Sequence, residues 1–200
     1  MNHLEALARE WLEWTGHVVR TNVRVGKRLA GGHDMEVDVV AYSPADGIIR
    51  HYELSLDAHT WEKRQLRFEK KFRLARLYMF SELFPFLAES TPIEQYAVLP
   101  SGNNAGLAGA RVICVDDFTA LIAQDVVREG IAARAAISEQ YPLLRHTQFL
   151  LSGYRKKPIG TENISHAVRI ATASPTIAIG QRNEMNRKSG TDRATGDRDA

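Results

Sequence analysis

The chain has 200 residues, 44% hydrophobic and 25% charged, the make-up of an ordinary folded domain; this excludes collagen-like, wholly disordered and disulfide-built classes. A single cysteine, Cys114, cannot form an internal disulfide and suits a reducing compartment, and no apolar run approaches the ~20 residues that would span a bilayer. The net charge of +2 hides an asymmetry: residues 1–150 carry 17 Lys+Arg and 19 Asp+Glu, whereas residues 151–200 carry 9 and 5. The stretch MNHLEALARE is acidic and amphipathic, so no signal peptide and a cytoplasmic location are expected.

Leu4, Leu7, Ala8, Trp11 and Leu12 recur at helical spacing, and Gly16 stops that helix. HVVRTNVRV predicts a strand over 17–25, followed by the basic, glycine-rich loop GKRLAGGHD. MEVDVVAY and IIRHYELSL predict two further strands, antiparallel around the SPADG turn. From Asp57 to about Leu83 the period turns helical: Trp61, Phe68, Phe72, Ala75 and Met79 form the apolar face, and Lys63, Arg64, Arg67, Lys70 and Lys71 stud the other. YAVLP (96–100) and ARVICV (110–115) predict short apolar strands around SGNNAGLAG, with Cys114 as buried filler. Asp116 is placed to cap a helix to about Arg128, and a last helix is expected over 131–150, kinked or broken at Pro142. The expected layout is a folded α/β domain over 1–153 and a mostly disordered basic tail over 154–200. Neither a P-loop nor G-x-G-x-x-G is present, and one cysteine with scattered histidines does not suggest zinc.

The strand pair carries the chemistry. Alternation puts Glu36 and Asp38 on one face of the second strand, and His51, Glu53 and Ser55 on one face of the third. If the hairpin register pairs these faces, Asp38 and Glu53 stand on neighbouring strands, where two carboxylates repel unless a cation lies between them. Hard oxygen donors of this kind suit Mg²⁺ or Mn²⁺; acids lining a solvated sheet face are the plainer alternative.

The ordered set Glu5, Ala8, Trp11, Leu12, Gly16, then Asn22 and Arg24, then Glu36-Val37-Asp38-Val39-Val40-Ala41, then Tyr52-Glu53-Leu54-Ser55 covers about 75 residues. It resembles the restriction-endonuclease-like, or PD-(D/E)XK, nuclease superfamily, and more narrowly the small bacterial endonuclease-like proteins related to Holliday-junction resolvases. The resemblance implies a core in the order α-β-β-β-α-β with a mixed central sheet flanked by helices, and metal-assisted hydrolysis of DNA phosphodiester bonds. Asp38 and Glu53 would hold Mg²⁺ or Mn²⁺, with Glu5 as a helix-borne ligand or water orienter. The resolvase likeness also implies a homodimer. The superfamily lysine is replaced here by Ser55, which can orient a water but carries no charge. Either Lys63, Lys70 or Lys71 on the following helix supplies that charge, or the fold has become an inactive module that binds nucleic acid or a protein partner. Lys27 and Arg28 in the loop, with Arg64 and Arg67 on the helix, are candidate phosphate contacts. His51 is a neighbour of this site in sequence.

Overall fold

The computed structural model describes residues 2–57, 59–101 and 106–156. The tail expected over 154–200 therefore lies outside the described residues from position 157 on, as does the middle of the SGNNAGLAG loop. Helix α1 (His3–Trp14) starts in a capping box: Glu5 N–H donates to Asn2 Oδ1 (2.9 Å), and Asn2 N–H donates back to Glu5 Oε2 (3.0 Å). Strands β1 (Val18–Lys27), β2 (His33–Ser43) and β3 (Ile48–Leu54) follow, then α2 (Trp61–Tyr78), β4 (Ile93–Leu99), β5 (Arg111–Cys114), α3 (Val115–Glu129) and α4 (Pro142–Leu151). The five strands lie side by side in chain order; β1–β2–β3 are antiparallel and β3–β4–β5 parallel. The fold is thus α/β, a mixed sheet flanked by helices, with α2 providing the long crossover that parallel β3 and β4 require. No helix among the described residues is long and apolar enough to cross a membrane.

The two faces of the sheet are packed differently. Tyr52, Leu54, Tyr96, Val98 and Ile113 meet Leu4, Ala8, Trp11 and Leu12 of α1, Phe118, Ile122 and Val126 of α3 and Leu144 of α4 in one apolar cluster. Beneath α2 there are two clusters. Val25, Val37, Val40 and Ile49 pack on Ala75, Met79 and Leu83. Ala97, Leu99, Leu107 and Ala110 pack on Phe68 and Phe72.

Several expectations are corrected. The helix expected from Asp57 begins at Trp61, because Asp57 anchors an irregular link: its carboxylate accepts from the Ser55 hydroxyl and from His59 N–H (3.3 Å). The same helix ends at Tyr78 in a π-helical turn, Met79–Leu83. Strand β3 stops at Leu54, short of Ser55. Cys114, not Asp116, caps α3: its Sγ accepts from Asp117 N–H (3.3 Å), and it is partly exposed rather than buried filler. The stretch 131–141 is not helical. At Pro142 the expected kink or break is a break: the proline opens α4, since it disfavours helical backbone at the residue before it and needs no N–H partner at the first turn. Glu10, 2% exposed, takes the place of a local cap by accepting from Leu143 and Leu144 N–H (2.9 and 3.1 Å).

The alternation expected along β2 fails at one point. The β1–β2 ladder pairs Thr21 with Val39 and Val23 with Val37, leaving Asn22 and Asp38 outside it, and Asn22 has a left-handed φ of 51°. Val39 and Ala41 pack in the α1 cluster, yet Val37 packs with Val40 beneath α2. Glu36 is exposed and pairs with Arg24 (3.1 Å), so it does not accompany Asp38. Beyond this kink β1 and β2 run on as a two-stranded ribbon. Its far end is tied to α2 and the π turn: Tyr78 OH donates to Asp34 Oδ2 (2.5 Å), and Gly26 N–H donates to the Glu82 carboxylate (3.2 Å).

Candidate functional site

Asp38 and Glu53 reach the same point from neighbouring strands. Pairing of β2 with β3 brings Val39 opposite Tyr52, and Asp38 and Glu53 are next in that register. On each carboxylate one oxygen is fixed by the protein. Asp38 Oδ2 accepts Leu54 N–H (3.0 Å), and Glu53 Oε1 lies 2.8 Å from His51 Nε2. The other two oxygens converge on the Lys71 ammonium, Asp38 Oδ1 at 2.9 Å and Glu53 Oε2 in a short contact.

The electrostatics follow from depth. Glu53 and His51 are fully buried, and the side chains of Asp38 and Lys71 are 16% and 18% exposed. Burial and then the Glu53 charge push Asp38 up to about 6 against the pull of Lys71. Complete burial raises Glu53 as well, although Lys71 opposes it. Burial alone would lower Lys71, but its two carboxylates outweigh that and hold it above its ordinary value, so the ammonium is retained. Burial, followed by Lys71, brings His51 down to about 3, which makes it a neutral hydrogen-bonding group at physiological pH. Two acids therefore face one cation, and the pair ionised together carries one uncompensated negative charge.

The other expected residues are placed as follows. Glu5 lies at the β1 side, where Asn22 Nδ2 donates to its Oε2 (3.2 Å) and to the Asp38 backbone carbonyl (3.5 Å). Its own carboxylate is also engaged in the capping box. Among the described residues no three His, Cys, Asp or Glu side chains converge as a metal-binding group, so the expected set of Glu5, Asp38 and Glu53 does not gather as one. Ser55 is buried and gives its hydroxyl proton to Asp57. Of the two helix arginines expected to meet phosphate, Arg64 is buried and Arg67 is exposed. Arg64, 8% exposed, donates to the Asp57 carbonyl (2.5 Å), and Arg67 pairs with the Asp57 carboxylate (2.6 Å). Arg28 pairs with Asp34 (2.7 Å), while Lys27, Lys63 and Lys70 are exposed. Lys63 precedes Lys71 by roughly 12 Å of helix rise, so it does not share the site. Lys70 lies nearer the ribbon, where its charge helps hold Asp34 down, after the hydrogen bonds from Tyr78 and Arg28.

Three contributors were missed in the sequence: Asp57, Gln95 and Arg76. Gln95 Nε2 donates to His51 Nδ1 (3.2 Å) and to the Phe72 carbonyl (3.0 Å), and its Oε1 accepts from Arg76 Nε (2.6 Å). The signal for Gln95 was available, because it alternates with Ala97 and Leu99 on the face of β4 turned to α2.

The donor set fits a hard divalent cation in its chemistry: two carboxylates each turn one oxygen to a single positive charge, here the Lys71 ammonium. No protein-family model matches the chain, and no curated protein matches it. One crystal structure, described as the protein of unknown function AF1548, is 14% identical, with a TM-score of 0.32 over 74% of this chain and 96% of that one.

Proposed function

We propose that the protein is a metal-dependent nuclease that hydrolyses phosphodiester bonds of DNA, on a restriction-endonuclease-like core. The observation that carries this reading is the convergence of Asp38, Glu53 and Lys71. The positive charge missing from Ser55 arrives from α2, at the two carboxylates that the resemblance singles out. A bound Mg²⁺ or Mn²⁺ supplies polarisation of the phosphate and a lowered pKa for an attacking water. Asp38 and Glu53 are the residues that would hold it. Lys71, released from at least one carboxylate, offsets the charge that develops on the phosphate oxygens. Ser55, its proton engaged by Asp57, keeps lone pairs with which to accept from a water. Lys27, Arg28, Lys63, Arg67 and Lys70 are exposed cations for backbone phosphates, contacts that add affinity without base choice.

Cleavage of single-stranded, duplex and branched DNA with Mg²⁺ or Mn²⁺ tests this. Asp38→Ala and Glu53→Ala are expected to abolish cleavage, and Lys71→Ala to slow it by roughly 10²–10³-fold, the usual cost of removing a group that stabilises developing charge. Unchanged activity in the carboxylate variants overturns the assignment. A second reading is favoured by Lys71 itself, which bridges the two acids as it would in a purely structural ion triad. Wild-type protein that binds DNA yet cuts none of the three substrates would establish this inactive module.

A further inference from the structure

Below the carboxylates a buried polar chain runs inward, and nothing in the resemblance accounts for it. The His51 ring is fully buried, packed edge-on to Phe72 at 5.3 Å between centroids. Its two nitrogens have different partners, Glu53 Oε1 at 2.8 Å from Nε2 and Gln95 Nε2 at 3.2 Å from Nδ1. The amide of Gln95 has only one workable orientation. A backbone carbonyl can only accept, so the nitrogen faces Phe72 O; a guanidinium can only donate, so the oxygen faces Arg76 Nε. The same amide nitrogen then donates to His51 Nδ1, which must be a lone pair. The imidazole proton is thereby on Nε2, directed at Glu53.

We infer that His51 is a positioning residue for Glu53, with Gln95 setting its tautomer and Arg76 and Phe72 setting Gln95. The inference rests on the reading of Glu53 as a cation-holding carboxylate. A terminal carboxylate torsion is broad and roughly two-fold, so an unrestrained Glu53 would sample orientations that present neither oxygen squarely to Asp38. His51 takes Oε1 and leaves Oε2 for the shared point. Filling the same volume with apolar side chains would join the two clusters beneath α2, as the opposite sheet face is joined. The seam interrupts that packing along the line that leads to Glu53.

Two measurements decide it. In metal-free wild type, ¹⁵N NMR of the His51 ring is expected to show a pyrrole-type Nε2 and a pyridine-type Nδ1, and Gln95→Leu to convert this into a tautomer mixture. An Nδ1–H tautomer in wild type overturns the inference whatever the metal does. In calorimetric Mn²⁺ titrations His51→Leu is expected to weaken affinity roughly 10–100-fold, the usual cost of losing a group that orients a ligand. The same variant lowers kcat while leaving KM for DNA unchanged. His51→Gln, whose amide keeps a donor toward Glu53 and an acceptor toward Gln95, restores affinity to within about threefold. A folded Leu variant with wild-type affinity, or a Gln variant no better than Leu, overturns the inference. Should the Leu variant not fold, the ring spectrum and the Gln variant still decide. Wild type that shows the Nε2–H tautomer but binds no Mn²⁺ sinks the metal reading and leaves the hold on Glu53 intact.

Discussion

The sheet has one face that is packed and one that is wired. On the α1, α3 and α4 side, Tyr52 stacks on Tyr96 (4.9 Å between ring centroids) and Phe118 packs against both Trp11 and Tyr52. Burial of apolar area accounts for that face. On the α2 side the same β3 strand presents His51 and Glu53, both fully buried, and the apolar packing is split in two around them. A buried ion pair is seldom more stabilising than an apolar core of equal volume. The polar line under α2 is therefore not what makes that face stable.

Truncation tests the two faces against each other. Phe118→Ala, on the packed face, is expected to cost about 3–5 kcal/mol in denaturant unfolding, with the same loss at pH 5 and pH 7. Lys71→Met, on the wired face, is expected to cost on the order of 3 kcal/mol at pH 7, because it strands two carboxylates in a water-poor site. At pH 5 that cost shrinks as the acids take up protons. Equal losses at both pH values would remove the contrast. A smaller effect belongs to wild type itself. Asp38 is raised to about 6 from an ordinary value near 3.8, so the folded state binds its proton more tightly than the unfolded one. Its contribution is present below pH 4 and is lost as pH rises toward 6. The metal-free protein should thus lose on the order of 2 kcal/mol across that window, and Asp38→Asn should flatten the profile.

Much of this contrast was legible in the residues, and the reasons for the rest are specific. The β2–β3 hairpin and the pairing of Asp38 with Glu53 follow from alternation around a clear turn, a short-range signal. Lys71 could have been singled out among its neighbours. It sits three residues after Phe68 and four before Ala75, inside the inward stripe, whereas Lys63 and Lys70 fall roughly 140–160° away from Phe68. The start of α2 was misplaced because Asp57 resembles a helix's first-turn acid and instead collects Ser55, Arg64 and Arg67 from both directions. The reversal of β2 at Asp38 was not legible: it depends on a left-handed Asn22 on the neighbouring strand, which periodicity along one strand cannot carry. The role of His51 was hidden for a similar reason, since its tautomer is dictated by Gln95, 44 positions away.

The tie between the ribbon and the end of α2 has a mechanical consequence. A two-stranded ribbon twists easily about its own axis, and this one is hinged at Asn22 and Asp38, where the ladder opens. Tyr78 and Glu82 fasten its free end, and only glycine permits the fastening at position 26: a Cβ there would stand 2.6 Å from both Asp34 Oδ2 and Tyr78 OH. Held at both ends, the ribbon acts as a strut. A push on the basic loop at 27–33 therefore meets the end of α2 through Tyr78 and Glu82 as well as the strands behind it.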